Sequence, residues 1–237
     1  MSKILWKPSP FYKTRGNYPL DMIVIHHIGS KNGKLFSIEG TITWFTSIDA
    51  HKNPQTGAIE NQVSAHYAIP RTVHADYDIV QFVKDTDIAY HAGDSQWVVD
   101  GKTRKFINSY SIGIELEGDG NLVEYTDYQY STLIELVKSL VDKYKIPENN
   151  IVGHEDIAPS RKIDPGKFFD WMRLRKGINI PVPAVVATPI GPQFSSMSVE
   201  KVPDDQFYMG GGTNKDGKRP NLFEFIIEAI KSLFHKS

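Results

Sequence analysis

Apolar residues recur at two different periods along the chain. Short, nearly unbroken apolar runs at residues 22–26, 65–69, 78–83, 111–116 and 150–153 have strand length. Their Val, Ile and aromatic content suits a pleated, mostly buried sheet. Between them the period lengthens. Ile38, Ile42, Phe45 and Ile48 recur at three- and four-residue steps, which predicts a helix around residues 38–48. The clearest helix begins at Thr126, where Gln129 completes a capping-box pattern and Pro147 lies beyond the far end. Leu133, Ile134, Leu136, Val137, Leu140, Val141 and Tyr144 form its apolar face. A third, shorter helix is expected from about Gly166 to Arg175. Alternating strands and helices predict an α/β domain, a mixed central β-sheet flanked by helices.

The pattern changes near Asn179. A Pro-rich stretch from Ile180 to Pro192 reads as an extended linker, and the Gly-rich stretch from Tyr208 to Gly217 as a turn region. Residues 221–236 return to helical composition. The expected organisation is a catalytic domain over residues 1–178, a Pro/Gly-rich linker over 179–219 and an amphipathic helix over 220–237. That last helix is apolar over most of its circumference, with Leu222, Phe223, Phe225, Ile226, Ile227, Ile230, Leu233 and Phe234. It needs a surface to bury against. Docking on its own domain or self-association is the plainer reading. Lying in a membrane interface is disfavoured by Glu224 and Glu228, since such helices favour Lys and Arg.

Composition narrows the class. The 237 residues are 40% hydrophobic and 23% charged with a net charge of -1, as for a soluble globular protein. There is no cysteine, so disulfides and thiolate metal ligands are both excluded. The near-neutral charge and the lack of a basic, aromatic-interleaved stripe argue against nucleic acid as a partner. No segment approaches transmembrane length, and the first residues do not read as a secretory signal peptide. Synthesis as a cytosolic chain is therefore expected.

Candidate chemistry concentrates in residues 153–166, Gly-His-Glu-Asp-Ile-Ala-Pro-Ser-Arg-Lys-Ile-Asp-Pro-Gly. The stretch follows a strand and precedes a helix, where the ends of open sheets form sites. His154 and Asp164 can both ligate a divalent cation. His26, at the end of a buried-looking strand, is the best third ligand. Two imidazoles and a carboxylate make a catalytic zinc set with a fourth position for water. On spacing alone, a structural histidine at a strand end is an equal alternative.

A resemblance sharpens this. Residues 23–26 (Ile-Val-Ile-His), 64–67 (Ser-Ala-His-Tyr), 91–93 (His-Ala-Gly), 111–118 (Ser-Ile-Gly-Ile-Glu-Leu-Glu-Gly) and the 153–166 stretch occur in order. Together they resemble the type-2 N-acetylmuramoyl-L-alanine amidases, relatives of the peptidoglycan recognition proteins and phage amidase endolysins. The resemblance spans roughly residues 20–175. It implies a mixed-sheet amidase fold, a Zn2+ cofactor and cleavage of the amide between the lactyl group of N-acetylmuramic acid and L-alanine. It implies His26, His154 and Asp164 as ligands, in the branch whose third ligand is Asp rather than Cys.

The same resemblance implies Glu115 as the general acid–base and Lys162 as the cation that stabilises the oxyanion. The plainer alternatives are an ion-pair carboxylate and a solvated loop lysine. Arg161 is read as a surface residue or a binder of a substrate carboxylate. His27 neighbours His26 on the opposite strand face and is read as packed. Tyr67, next to His66, falls where some relatives have a tyrosine near the zinc; a core tyrosine is an equal reading. His91 is placed at the cleft edge in a structural or substrate-binding role. Trp97, with the Tyr90 region, is a candidate to line the groove, core packing being the commoner use of Trp, and His51, His74 and His235 are read as surface residues.

Three functions compete. The first is an amidase that degrades intact peptidoglycan, a phage or prophage endolysin or an autolysin acting on the cell wall. The terminal tail and missing signal peptide favour it. The second is a cytosolic amidase that recycles anhydromuropeptides. The third is a non-catalytic peptidoglycan-binding protein, disfavoured by the full ligand set with Glu115 and Lys162.

Overall fold

The computed structural model describes residues 2–178. The linker and terminal helix expected over 179–219 and 220–237 lie outside the described residues. The core is a six-stranded sheet built from β1 (Ile4–Trp6), β2 (Met22–His27), β3 (Tyr67–Ile69), β4 (Ile79–Gln81), β5 (Ser111–Leu116) and β6 (Ile151–Gly153). Their spatial order is β1-β4-β3-β5-β2-β6; all neighbours are parallel except the antiparallel pair β3–β4. The mixed sheet and its flanking helices are therefore as the sequence pattern predicts. β2 is buried along its whole length, as a parallel strand covered on both faces requires. β1 was not among the expected strands: it is a three-residue edge strand, Ile-Leu-Trp, with Ile4 and Trp6 exposed, too short to stand out as a buried run.

Helices cover both faces. On one face α2 (Asp127–Tyr144) packs Leu133, Leu136, Val137 and Leu140 onto Ile23 and Ile25 of β2 and Ile112, Ile114 and Leu116 of β5. The capping box at its start forms as predicted: Thr126 Oγ1 accepts from the Gln129 N–H, and Gln129 Oε1 accepts from the Thr126 N–H. Lys145, in the left-handed region at φ 56°, ends it. On the opposite face α1 (Ile38–Thr46) contributes Ile38, Trp44 and Phe45 to a second cluster, and Met22 and Val24 join a third. A short α3 (His154–Ile157) follows β6, and α4 (Trp171–Gly177) packs on α2. α4 starts later than expected, because Gly166 sits at φ +92° and the helix cap is Asp170, whose side chain accepts from the Arg173 N–H.

Strand parity then decides the site. Side chains alternate across a strand. Ile23 and Ile25 of β2 and Ile112, Ile114 and Leu116 of β5 meet α2, so His26 and Glu115 project from the other face. Glu115 is the register partner of His26 on the neighbouring strand. Tyr67 pairs with Ile114 and belongs to the α2 face, whereas His66 lies on the side of Glu115.

Two histidines show how burial sets stability against pH. His51 is fully buried, not on the surface as expected; its ring nitrogens meet the Trp44 and Asn61 carbonyls at 2.7 and 2.8 Å. His66 is fully buried too, with Nδ1 accepting from the Gly113 N–H at 3.0 Å and Nε2–H donating to the Asp87 carbonyl at 3.2 Å. Burial holds its pKa down to about 3. Burial likewise lowers His26, His27 and His51. Unfolded histidines take up protons below about 6.5, and these folded ones do not until lower pH. Their stabilisation is thus complete above about pH 6.5 and is lost on acidification at ~1.4 kcal/mol per pH unit for each such group. Urea denaturation of the metal-free protein is expected to show a clearly lower midpoint at pH 5 than at pH 7. Equal midpoints would contradict this reading.

Candidate active site

Three parallel strands, β5, β2 and β6, end at one place. His26 is on the penultimate residue of β2, Glu115 is beside it on β5, and His154 directly follows β6. The chain then folds back so that the Glu155 N–H donates to the Asp164 carbonyl at 2.8 Å, while Asp156 caps α3 by accepting from the Gly153 N–H at 2.7 Å. That return brings Asp164 to His154. The three groups are buried, with His26 Nδ1 and His154 Nδ1 2.9 Å apart and Asp164 Oδ2 at 3.0 and 3.1 Å from them.

This triangle has the chemistry of a cation site. His154 Nε2 lies 3.1 Å from the Ala92 carbonyl, which can only accept, so the proton is on Nε2 and the Nδ1 lone pair is free. A tetrahedral zinc with bonds of about 2.05 Å would set its ligand atoms roughly 3.3 Å apart, close to the observed spacing. Imidazole nitrogens and a carboxylate oxygen converge here in a buried pocket, and among the described residues His26, His154 and Asp164 form the group that could hold a metal ion. Burial, with the charge of His154 added, brings the His26 pKa down to about 4, leaving it neutral and able to ligate near pH 7.

The site opens into a cleft of about 510 Å³. One end is polar, with His26, His91, Glu115, His154, Lys162 and Asp164; the other is an apolar wall that includes Leu35, Phe36, Trp44, Phe45 and Val63. Burial, then the nearby Asp164 charge, raises the Glu115 pKa well above the usual carboxylate range, with Lys162 opposing. Burial lowers the Lys162 pKa, while Asp164 raises it. A carboxyl whose pKa is raised by burial therefore shares the cleft with a half-buried ammonium.

The structure brings His26, His154, Asp164, Glu115, Lys162 and His91 to the cleft. It does not bring Tyr67, Trp97 or Arg161 there. Tyr67 is on the opposite face, where its hydroxyl donates to Asp85 and accepts from Gln81. Trp97 lies on the hairpin formed by Gln96–Val99 and Lys102–Lys105 and packs on the Met22–Val24 cluster. Arg161 Nη2 donates to the carbonyls of Ala92 and Asp94, pinning one loop to another. His27 is packed, its Nδ1 accepting from the Gly120 N–H at 3.1 Å. Sequence reasoning missed the aromatic wall from α1 and the segment before it; the helical spacing of Ile38, Ile42 and Phe45 signalled burial and nothing about a cleft.

The profile of the family described as Amidase_2, N-acetylmuramoyl-L-alanine amidase, matches residues 16–167. The chain belongs to this family. The 1,6-anhydro-N-acetylmuramyl-L-alanine amidase AmpD of Escherichia coli is 39% identical over 170 residues, covering 71% of this chain and 88% of AmpD. A crystal structure of AmpD superposes with a TM-score of 0.60 at 38% identity, over 75% of this chain and 95% of that one. The amidase AmiD of Escherichia coli, solved with anhydro-N-acetylmuramic acid-L-Ala-D-gamma-Glu-L-Lys, gives a TM-score of 0.51 at 31% identity, over 70% of this chain and 60% of AmiD. The chain is thus an N-acetylmuramoyl-L-alanine amidase, a hydrolase of peptidoglycan-derived amides. Its parallel strand ends hold the polar cluster at the mouth of the amidase cleft.

Proposed function

We propose that this amidase acts on soluble 1,6-anhydro-muropeptides, the recycling reading, in preference to intact cell wall. What supports this is the 39% identity to AmpD, spread over 88% of that protein, whose name specifies the anhydro substrate.

The metal we propose at His26, His154 and Asp164 is zinc. When bound, it supplies a water of pKa near ~7 and polarises the scissile carbonyl. Glu115 takes the proton of the attacking water and returns it to the departing L-alanine nitrogen; its raised pKa suits both directions of transfer. Lys162 places a cation beside the negative charge that develops on the former carbonyl oxygen. The apolar wall keeps bulk water from competing with these interactions and offers packing surface to the sugar and lactyl groups. Rates on a purified anhydro-muropeptide and on purified cell walls test the preference. Faster turnover of the soluble fragment is expected; rapid clearing of cell walls with little action on the fragment would restore the lysin reading.

A further inference from the structure

His26 is oriented by a relay of three hydrogen bonds whose proton directions are fixed from the far end. The Ser111 hydroxyl donates to the Ile107 carbonyl at 2.8 Å, and a carbonyl can only accept. Ser111 Oγ must then receive the proton of His91 Nε2, 3.2 Å away. With its proton on Nε2, neutral His91 presents a lone pair at Nδ1, and His26 Nε2 lies 2.9 Å from it. The His26 proton is therefore on Nε2, which leaves the Nδ1 lone pair facing His154 and Asp164.

The scaffold is shaped around this relay. A Cβ on Gly113 would stand 2.4 Å from His91 Cγ, so the imidazole lies directly over the β5 backbone and only glycine admits it. Asn108 Oδ1 accepts from the backbone N–H groups of His91 and Ala92 at 3.0 and 2.7 Å, and the Ala92 carbonyl is the group that fixes the His154 tautomer. One short segment thus sets both imidazoles.

We infer that His91, held by Ser111 over Gly113, is a positioning residue that locks His26 into the tautomer and ring orientation needed to bind the metal. The inference rests on the proposed metal site. It assigns to His91 a role in the affinity of that site rather than contact with substrate. Partners of this kind are worth ~10–100-fold in metal affinity.

Zinc affinity is measured by chelator competition on the purified full chain, with far-ultraviolet circular dichroism to check folding. His91→Ala is expected to weaken zinc binding ~10–100-fold. His91→Gln, whose amide can accept from His26 and donate to Ser111, is expected to recover most of the loss. Ser111→Ala removes the anchor without changing a ring and is expected to weaken binding by a smaller factor. In the metal-free protein, nitrogen-15 NMR of the imidazoles is expected to show His26 protonated on Nε2, and a mixture of tautomers in His91→Ala. Tight zinc binding by the wild type with affinity unchanged in His91→Ala and Ser111→Ala would overturn the relay and leave the ligand set standing. Failure of the wild type to bind zinc would overturn both, and a wild-type His26 protonated on Nδ1 would overturn the relay by itself.

Discussion

An Asp164→Ala variant is expected to bind no zinc at micromolar metal and to lose activity by on the order of 10³-fold or more, since metal catalysis supplies several kcal/mol and 1.36 kcal/mol is tenfold. Asp164 Oδ2 is the vertex that meets both imidazoles, at 3.0 and 3.1 Å. Removing it leaves two nitrogens, too few for a catalytic zinc site, which takes three protein ligands and a water. The fold should survive. The segment returns through its backbone, with the Glu155 N–H on the Asp164 carbonyl, and that bond does not need the side chain. Metal analysis after dialysis, with circular dichroism alongside, checks this. Full zinc occupancy in the variant would mean that the metal, if any, is held elsewhere.

Glu115→Gln separates catalysis from metal binding. The amide keeps the size of the side chain but cannot take up a proton, so kcat is expected to fall ~10²–10⁴-fold with zinc content unchanged. The pH profile carries a second signature. In the metal-free protein burial, then the Asp164 charge, raises the Glu115 pKa well above the usual carboxylate value; a bound cation would lower it again, and the acid limb of wild-type activity is expected to report its titration. In the variant that limb should disappear. Stability should move the other way. The folded pKa lies above the unfolded one, so native Glu115 binds its proton more tightly than the unfolded chain does. Raising the pH above the unfolded value therefore costs stability, and the neutral amide avoids that cost. Metal-free Glu115→Gln is expected to be more stable than wild type at pH 7 and similar to it at pH 4. A less stable variant at pH 7 would show that Glu115 is a structural ion-pair member.

Which parts of this were readable in the sequence follows from what each residue depends on. The β2 and β5 runs and the capped α2 were legible because their signals are local: apolar period, capping box, trailing proline. His154 and Asp164 share one segment, so spacing alone brought them together. Strand alternation set His26 apart from His27 in the sequence, and the structure supplies the parity by seating Ile23 and Ile25 against α2. The same parity sends Tyr67 to the α2 face, beyond the reach of a motif comparison. His91 was legible as a motif member but its partner was not, because Ser111 lies 20 residues away and meets it only when β5 runs under the loop. Trp97 and Arg161 show what residue type leaves open: Trp97 packs on the Met22–Val24 cluster and Arg161 clamps one loop to another. The hairpin carrying Trp97 was itself signalled by Asp100-Gly101, a two-residue turn pair at positive φ, yet its first strand has only Trp97-Val98-Val99 as an apolar run and its second, Lys-Thr-Arg-Lys, has none.

The proposed reaction is metal-dependent cleavage of the lactyl–L-alanine amide at the His26, His154 and Asp164 cluster. Its most direct test is mass spectrometry of the products from a purified anhydro-muropeptide, run with the zinc-loaded enzyme, with chelator, and with chelator followed by added zinc. The account predicts free stem peptide and an intact anhydro-sugar in the first case, neither in the second, and both again in the third. Undiminished hydrolysis in a protein shown to be stripped of metal, or products cut within the sugar or the peptide, would contradict it.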